Sequence, residues 1–368
     1  MSGGITSSPR IRRRRRLARS VSASLGAVLV AVLLTGCRPD PVLQPVVPPG
    51  SEWTALASMN ASGLAVGATS NVAGGTHAIA YDTRSGSFVD LPDPGPSAGL
   101  PPGATFTRAN DIDDRGVVLG SVSPYPDGHD TALYDSVAGT WQFFDCSTFF
   151  VVGRGSLSNS GLIACGDHVY DSNTNTSLPV PMPADCDGRV FKVNASAIAV
   201  GPCRGGAEPL FATDLDTGTT VGFGSAAGIA VDPDNPAVTA TLTDSGWLVA
   251  GRNEGSIGRT FVFRVPDTLG AAAPVAVDLG PVADLSSAAP AINADGVLAG
   301  IFQIGDATLL GTYDVVTGEL RRLDSGAVPG DVRLGDTLLT AIDDRGAVVG
   351  IQMGLQDPIF LSFATAPD

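Results

Sequence analysis

The sequence predicts an all-β fold, a seven-bladed β-propeller of four-stranded antiparallel blades. Three observations predict it. A nine-residue phrase recurs seven times, at residues 59, 112, 157, 193, 242, 292 and 342, and such spacing marks stacked supersecondary units. A second phrase, often closed by a glycine turn, follows each copy. Glycine (46 residues) and proline (27) are plentiful, charged residues make up only 16%, and no stretch past residue 50 keeps a helical period. That composition suits short strands joined by tight turns. A chain of 368 residues exceeds one small core unless the fold is a large β closure.

The N-terminus reads as an address. Residues 10–19 are RIRRRRRLAR, and an apolar run from Leu25 to Leu34 follows. A basic region before a short apolar one makes a secretory signal peptide over residues 1–36. The run is too short to span a bilayer, which takes about 20 residues. The junction Leu34-Thr35-Gly36-Cys37 resembles a bacterial lipobox. That resemblance implies a diacylglyceryl group on Cys37, the lipidation site, and cleavage that leaves Cys37 as the new N-terminus. The arginines before Leu17 leave a twin-arginine export route open beside the general one. Residues 37–50 are expected to be the lipidated cysteine and a linker. Positions 38–50, RPDPVLQPVVPPG, hold five prolines and predict a semi-extended spacer reaching about 40 Å. The propeller is expected over 51–368.

The phrase itself reads [I/L/V/M]-[N/D/T/S]-x-x-G-x-x-x-G. Its copies include MNASGLAVG, IDDRGVVLG, INADGVLAG and IDDRGAVVG. Ala197 replaces the first glycine in one copy, and two copies end late, at Gly166 and Gly251. The second phrase appears as AIAYDTRSG, ALYDSVAG, HVYDSNTN, LFATDLDTG and GTYDVVTG. TFVFRVPDTLG is a degenerate form, and PIFLSFATA ends the chain.

Each unit therefore spells four strands, a to d. Asn or Asp opens a turn by accepting a bond from backbone just ahead, and Gly takes the left-handed position that closes the hairpin. Strand b is apolar at consecutive positions, so both its faces are covered. Neighbouring blades of a propeller provide that cover.

The first phrase resembles the HAF-type extracellular repeat of bacterial surface proteins, with His77-Ala78-Ile79 the nearest echo of its second part. The Tyr-Asp turn is similar to that of kelch repeats. The resemblance spans roughly residues 53–368 and implies a propeller, an extracellular place and no defined reaction.

The last unit lacks a strand d, and an open ring leaves edges exposed. Either Val42 to Val47 or the stretch around Trp53 is expected to supply it. The prolines favour the Trp53 side.

Charge limits the partners. Seven of the 22 Lys and Arg residues lie in the first 19 positions. All 37 Asp and Glu lie beyond residue 36, so the chain from Cys37 onward has a formal charge of −22. Such a surface repels nucleic acid and anionic membrane, leaving the lipid as the one membrane contact. No cofactor is implied, and Ca²⁺ is the natural small partner of the acid surface.

Four cysteines remain after Cys37: Cys146, Cys165, Cys186 and Cys203. An even number in an exported chain predicts disulfides. Cys146 and Cys186 each precede strand a of a blade, and Cys165 and Cys203 end strand b of the same blades. The expected links are Cys146–Cys165 and Cys186–Cys203.

No catalytic or metal-binding phrase appears around His77, His129 or His168. The turn residues Asn60, Asp113, Asn159, Asn194, Asp244, Asn293 and Asp343 are expected to gather near the axis on one face. Turn-capping accounts for them, though together they offer oxygen ligands to a cation. The a–b and c–d turns share that face; the b–c and d–a loops share the other. The second set varies between units, and function lives on variable loops held by a rigid scaffold. That face is expected to carry Tyr125, Asp127, His129, Asp130, Arg204, Glu208, Arg252, Asn253, Glu254, Asp306 and Asp357 as candidate binding residues.

The reading is a monomeric, membrane-anchored lipoprotein that binds or scaffolds an envelope or extracellular protein or glycan. The alternative is an extracytoplasmic carbohydrate-active hydrolase or lyase, with paired carboxylates at the channel mouth.

Overall fold

Seven antiparallel sheets form a ring of propeller blades; six are meanders in chain order, and the seventh takes its outer strand from the start of the chain. The computed structural model describes residues 42–70, 75–95, 100, 102–123, 131–146, 157–229, 238–254, 257–270, 272–279, 291–304, 307–323, 337–353 and 360–365.

β1 (Leu43–Val46) comes first but belongs to the last blade. Blade 1 is β2 (Thr54–Met59), β3 (Leu64–Ser70), β4 (Thr76–Asp82) and β5 (Ser87–Asp90). Blade 2 is β6 (Thr105–Ile112), β7 (Val117–Ser123), β8 (Thr131–Asp135) and β9 (Thr140–Phe144). Blade 3 is β10 (Leu162–Ala164), β11 (His168–Asp171) and β12 (Thr176–Pro179); among the described residues its strand a is the single bridge from Leu157 to Ile163. Blade 4 is β13 (Lys192–Val193), β14 (Ile198–Pro202), β15 (Leu210–Asp214) and β16 (Thr220–Phe223). Blade 5 is β17 (Val238–Leu242), β18 (Trp247–Glu254), β19 (Ile257–Arg264) and β20 (Val275–Val277). Blade 6 is β21 (Ala291–Ile292), β22 (Val297–Ile304), β23 (Ala307–Asp314) and β24 (Leu320–Arg322). Blade 7 is β25 (Thr337–Ile342), β26 (Val348–Met353), β27 (Phe360–Thr365) and β1.

Why strand b reads as a continuous apolar run is visible in the packing. Adjacent strand-b residues face opposite neighbours. Ala65 joins a cluster with Val349 and Ala341 of blade 7, while Val66 joins one with Phe106 and Val118 of blade 2. The same division separates Val118 from Leu119, Ile163 from Ala164, and Leu298 from Ala299. Seven such clusters fill the seven gaps between blades. Burial of this apolar area, worth ~25 cal/mol per Å², drives the ring together. Phe106, Phe211, Phe263 and Phe302 are among the largest fully buried side chains in these gaps.

The second glycine of the phrase has a steric reason. In blade 1 a Cβ on Gly67 would lie 2.0 Å from the Ala55 carbonyl oxygen. Gly67 pairs with Leu56 at a bulge in strand a, where register shifts between Leu56 and Ser58. The extra residue presses backbone onto strand b, and only glycine leaves room.

Ring closure corrects one expectation. The missing outer strand comes from Val42 to Val47, not from the Trp53 side. β1 runs antiparallel to β27, with Leu43 opposite Thr365 and Val46 opposite Ser362. Trp53 instead leads into β2. Pro45 is tolerated because β1 is the outermost of the described strands of its sheet. Part of the segment read as spacer is therefore strand. Leu43 and Val46 are buried, while Gln44 and Pro45 between them are exposed. Leu43 packs with the blade 6–blade 7 cluster and Val46 with the blade 7–blade 1 cluster. One short strand thus plugs the gap on each side of its blade.

The two disulfides pair as expected, Cys146 with Cys165 and Cys186 with Cys203, with Cα atoms 5.1 and 5.0 Å apart. Each ties the connection entering a blade to the end of its strand b. They staple blades 3 and 4.

Candidate functional site: the axial channel and the two faces

The seven a–b turns are one structure repeated. The residue three before the first glycine position caps each turn: Asn60, Asp113, Ser158, Asn194, Thr243, Asn293 and Asp343. Its side-chain oxygen accepts the amide four residues on, at 2.7–3.1 Å in every copy. Its carbonyl accepts the amide at the glycine position, at 2.9–3.2 Å. The first glycine is left-handed, with φ between 84° and 86° in six copies, and Ala197 holds φ 57° in the seventh.

This register corrects the sequence reading at two positions. Asn159 and Asp244 do not cap turns; Ser158 and Thr243 do. Asn159 and Asp244 occupy the next position, alongside Ala61, Asp114, Ala195, Ala294 and Asp344. That position reaches between blades. The signal lay in the spacing to the first glycine, which is constant, and not in residue type.

The resulting belt runs around the ring. Asn60 Nδ2 donates to the Asp113 carbonyl (3.1 Å), and the Ala61 amide donates to Asp114 Oδ1 (2.8 Å). The Asp114 amide donates to Asn159 Oδ1 (2.8 Å), whose Nδ2 donates back to Asp114 Oδ2 (2.6 Å). The amides of Asn159 and Ala195 both donate to the Asp244 carboxylate, at 2.9 and 2.6 Å. Ser245 Oγ donates to the Ala294 carbonyl at 2.8 Å. Asn293 Nδ2 donates to the Asp343 carbonyl (2.9 Å), and the Ala294 amide to Asp344 Oδ1 (3.2 Å). Thr340 Oγ1 donates to the Leu56 carbonyl at 2.8 Å, joining blade 7 to blade 1. Among the described residues, Asn194 Nδ2 is buried without such a partner.

Strand a of every blade lines an axial cavity of about 190 Å³. Ser58, Asp111, Asp114, Lys192, Asp244 and Asp344 supply polar groups to it. Lys192, the single lysine of the chain, is almost fully buried there. Asp111 accepts Ser58 Oγ on one oxygen (2.6 Å) and the Leu157 amide on the other (3.0 Å). Burial pushes the Asp244 carboxyl up; the Asn159 and Ala195 amides oppose the rise, and Asp114 and Asp111 add to it. Burial likewise raises Asp344, against the Ala294 amide and with Asp295, Asp114 and Asp343. Asp113 also rises through burial, although the Val117 amide and Arg115 oppose it. Arg115 and Arg345 sit 2.7 and 2.8 Å from Asp113 and Asp343. Among the described residues, no group of three or more His, Cys, Asp or Glu is arranged to hold a metal ion. Both oxygens of Asp111, Asp114 and Asp244 already accept bonds, so these carboxylates act as acceptors that join blades.

The opposite face holds the variable loops. Tyr125, Asp127, His129, Asp130, Asp306 and Asp357 lie outside the described residues. Arg252, Asn253 and Glu254 extend β18 and pair with Arg259, Gly258 and Ile257, so they are strand and not loop. Arg204 and Glu208 share the connection between β14 and β15. Arg204 is exposed, and its carbonyl accepts the Asp187 amide at 2.9 Å. Glu208 accepts both the amide and the hydroxyl of Ser225, at 2.8 and 2.6 Å, and so holds the 3₁₀ turn Ser225–Ala227.

No protein-family model matches the sequence, and no curated protein matches it. Solved structures do resemble it in fold. TolB from Acinetobacter baumannii aligns at 13% identity and TM-score 0.36, over 79% of this chain and 76% of that one. Porphyromonas gingivalis dipeptidyl peptidase 4 aligns at 14% and 0.44, over 82% of this chain and 50% of that one. A chain of a mitotic checkpoint complex aligns at 12% and 0.47, over 90% and 95%. Likenesses this distant carry no argument about function, and the fold rests on the seven sheets themselves.

Proposed function

We propose that this chain is a lipid-anchored propeller that binds a protein or glycan partner outside the cytoplasmic membrane. The asymmetry of its two faces carries the reading. One face is seven copies of one turn, bonded to each other around the ring. The other is free to vary: β18 and β19 are joined by residues 255–256 alone, β7 and β8 by 124–130, and β16 and β17 by 224–237. A rigid hub with divergent loops is how scaffolds present binding surfaces. Two disulfides fit an oxidising compartment. The lipobox-like Leu34-Thr35-Gly36-Cys37 and the resemblance to HAF-type extracellular repeats support the anchor and the location.

Two measurements test this. Mass spectrometry of the N-terminal peptide should find acylated Cys37 in the membrane fraction, and Cys37→Ala should abolish acylation. A photo-cross-linking side chain at Ser123, at the loop end of β7, should form discrete adducts in cells. The same group at Val137, 83% exposed in the c–d turn of that blade, should not. A soluble wild type with unmodified Cys37 refutes the anchor, and adducts from Val137 but not Ser123 refute the binding face.

A further inference from the structure

The strand that closes the ring also fixes where the chain leaves it. In blade 7 the a–b turn spans Asp343 to Gly346, between β25 and β26. β26 runs away from that turn, and β27 returns: Met353 pairs with Phe360 at the far end and Val349 with Ala364 near the turn. Thr365 is at the turn end, where its Oγ1 accepts the Val348 amide at 3.2 Å. Leu43 pairs with Thr365, and Val46 with Ser362. β1 therefore starts at the face of regular turns and runs toward the face of variable loops. Residues 47–53 then pass along the loop side into β2.

From this we infer that the face of seven regular turns looks toward the bilayer, and the face of variable loops looks away from it. The inference rests on the lipid anchor at Cys37 proposed above. Everything between Cys37 and the buried side chain of Leu43 is residues 38–42. At ~3.1–3.6 Å per residue that path extends to about 20 Å. Had residues 38–50 all been free, the propeller could face either way. With Leu43 fixed in the ring, turning the loop face to the membrane would use the whole tether to double back along the blade edge. Strand β1 and the loops beyond it would still have to fit beneath.

Charge agrees with a short standoff. The turn face carries Asp114, Asp295 and Asp344, and like charge keeps it from lying flat on anionic headgroups. The tether holds it near; the charge holds it off. Partners then meet the loop face first.

The test uses the full lipidated chain in vesicles of phosphatidylethanolamine and phosphatidylglycerol, with an energy acceptor on the outer headgroups. Val137→Cys and Ser123→Cys place one fluorophore at opposite ends of blade 2, both at exposed sites, with the native cysteines acylated or in disulfides. Transfer from position 137 should be several-fold stronger than from 123. Inserting a long Gly-Ser segment after Pro41 should erase most of the difference. Equal transfer from both sites without the insertion, or stronger transfer from 123, overturns the orientation. A chain that does not associate with vesicles, shown by flotation, overturns the lipid-anchor reading and the orientation with it.

Discussion

At the scale of single residues, the a–b turn shows what the phrase is for. The first glycine sits where an L side chain is strained, and the strain differs from copy to copy in what surrounds it. At Gly346 (φ 85°) nothing lies within 4 Å of an added Cβ, whereas at Gly296 (φ 86°) it would meet the Trp247 ring at 2.8 Å. Gly346→Ala should cost about 1–2 kcal/mol from backbone strain alone. Gly296→Ala should cost more, because the ring must also move. Ala197 already bears that strain at φ 57°, so Ala197→Gly should stabilise by up to about 1 kcal/mol after glycine's entropy cost. Chemical denaturation of the three variants checks the order; equal effects at 296 and 346 would contradict the packing.

Aspartates divide into two groups by pH. In the c–d turn, burial works to raise Asp314, but the amides of Thr317 and Val316 and the Thr317 hydroxyl outweigh it, and the net shift is down. A lowered folded pKa gives stability that is present above the ordinary carboxylate value and lost as pH falls through the folded one. The gap in Tm between wild type and Asp314→Ala should thus narrow on acidification below the usual carboxylate range. Asp244 and Asp344 are raised, which has the opposite sign: their contribution is greatest below the ordinary value and declines as pH rises through the folded one. Thermal melts at several pH values between acid and neutral check the Asp314 sign; a gap that widens in acid would contradict it.

At the scale of elements, much was legible and the failures have causes. Strand b could be read because its two-sided cover forces consecutive apolar residues, as in Ala65-Val66 and Leu298-Ala299. The disulfides could be read because each pair repeats one placement in consecutive units. β1 was half-legible. Its prolines argued against a strand, yet Pro45 lies in the outermost of the described strands of its sheet, where proline is tolerated. Only the alternation of buried Leu43 and Val46 around exposed Gln44 and Pro45 marks it, and a four-residue pattern is too short to stand out. The belt position of Asn159 and Asp244 was missed because side-chain type resembles a turn cap in both, while spacing shows otherwise. Leu43 is fully buried between blades 6 and 7. Leu43→Ala should therefore cost about 2–5 kcal/mol. Gln44→Ala, on the exposed edge, should stay within about 0.5 kcal/mol. A loss at 44 as large as that at 43 would contradict the strand's orientation.

At the scale of the molecule, ring closure and the proposed orientation rest on the same contacts. The chain's first strand completes its last blade, so the contacts that hold the ring shut also fix the start of β1 at the turn face. The proposed binding face is legible only as a region: the loops vary, but residue type alone does not say which side chains converge. Glu208, for example, turns back to hold Ser225 and offers less to a partner than its loop position promised. The hub is a belt of backbone and carboxylate bonds, and the blades gain rigidity from it at the axis while β1 locks the rim.

Hydrogen exchange of the segment from Val42 to Val47, followed by mass spectrometry, tests this closure most directly. If β1 completes blade 7, the amides of this segment that donate to β27 should exchange as slowly as those of β27 itself and open only with the ring as a whole, while its outward-pointing amides exchange freely. Exchange at the rate of an unstructured peptide, with β27 still protected, would show that the ring closes without its N-terminal strand.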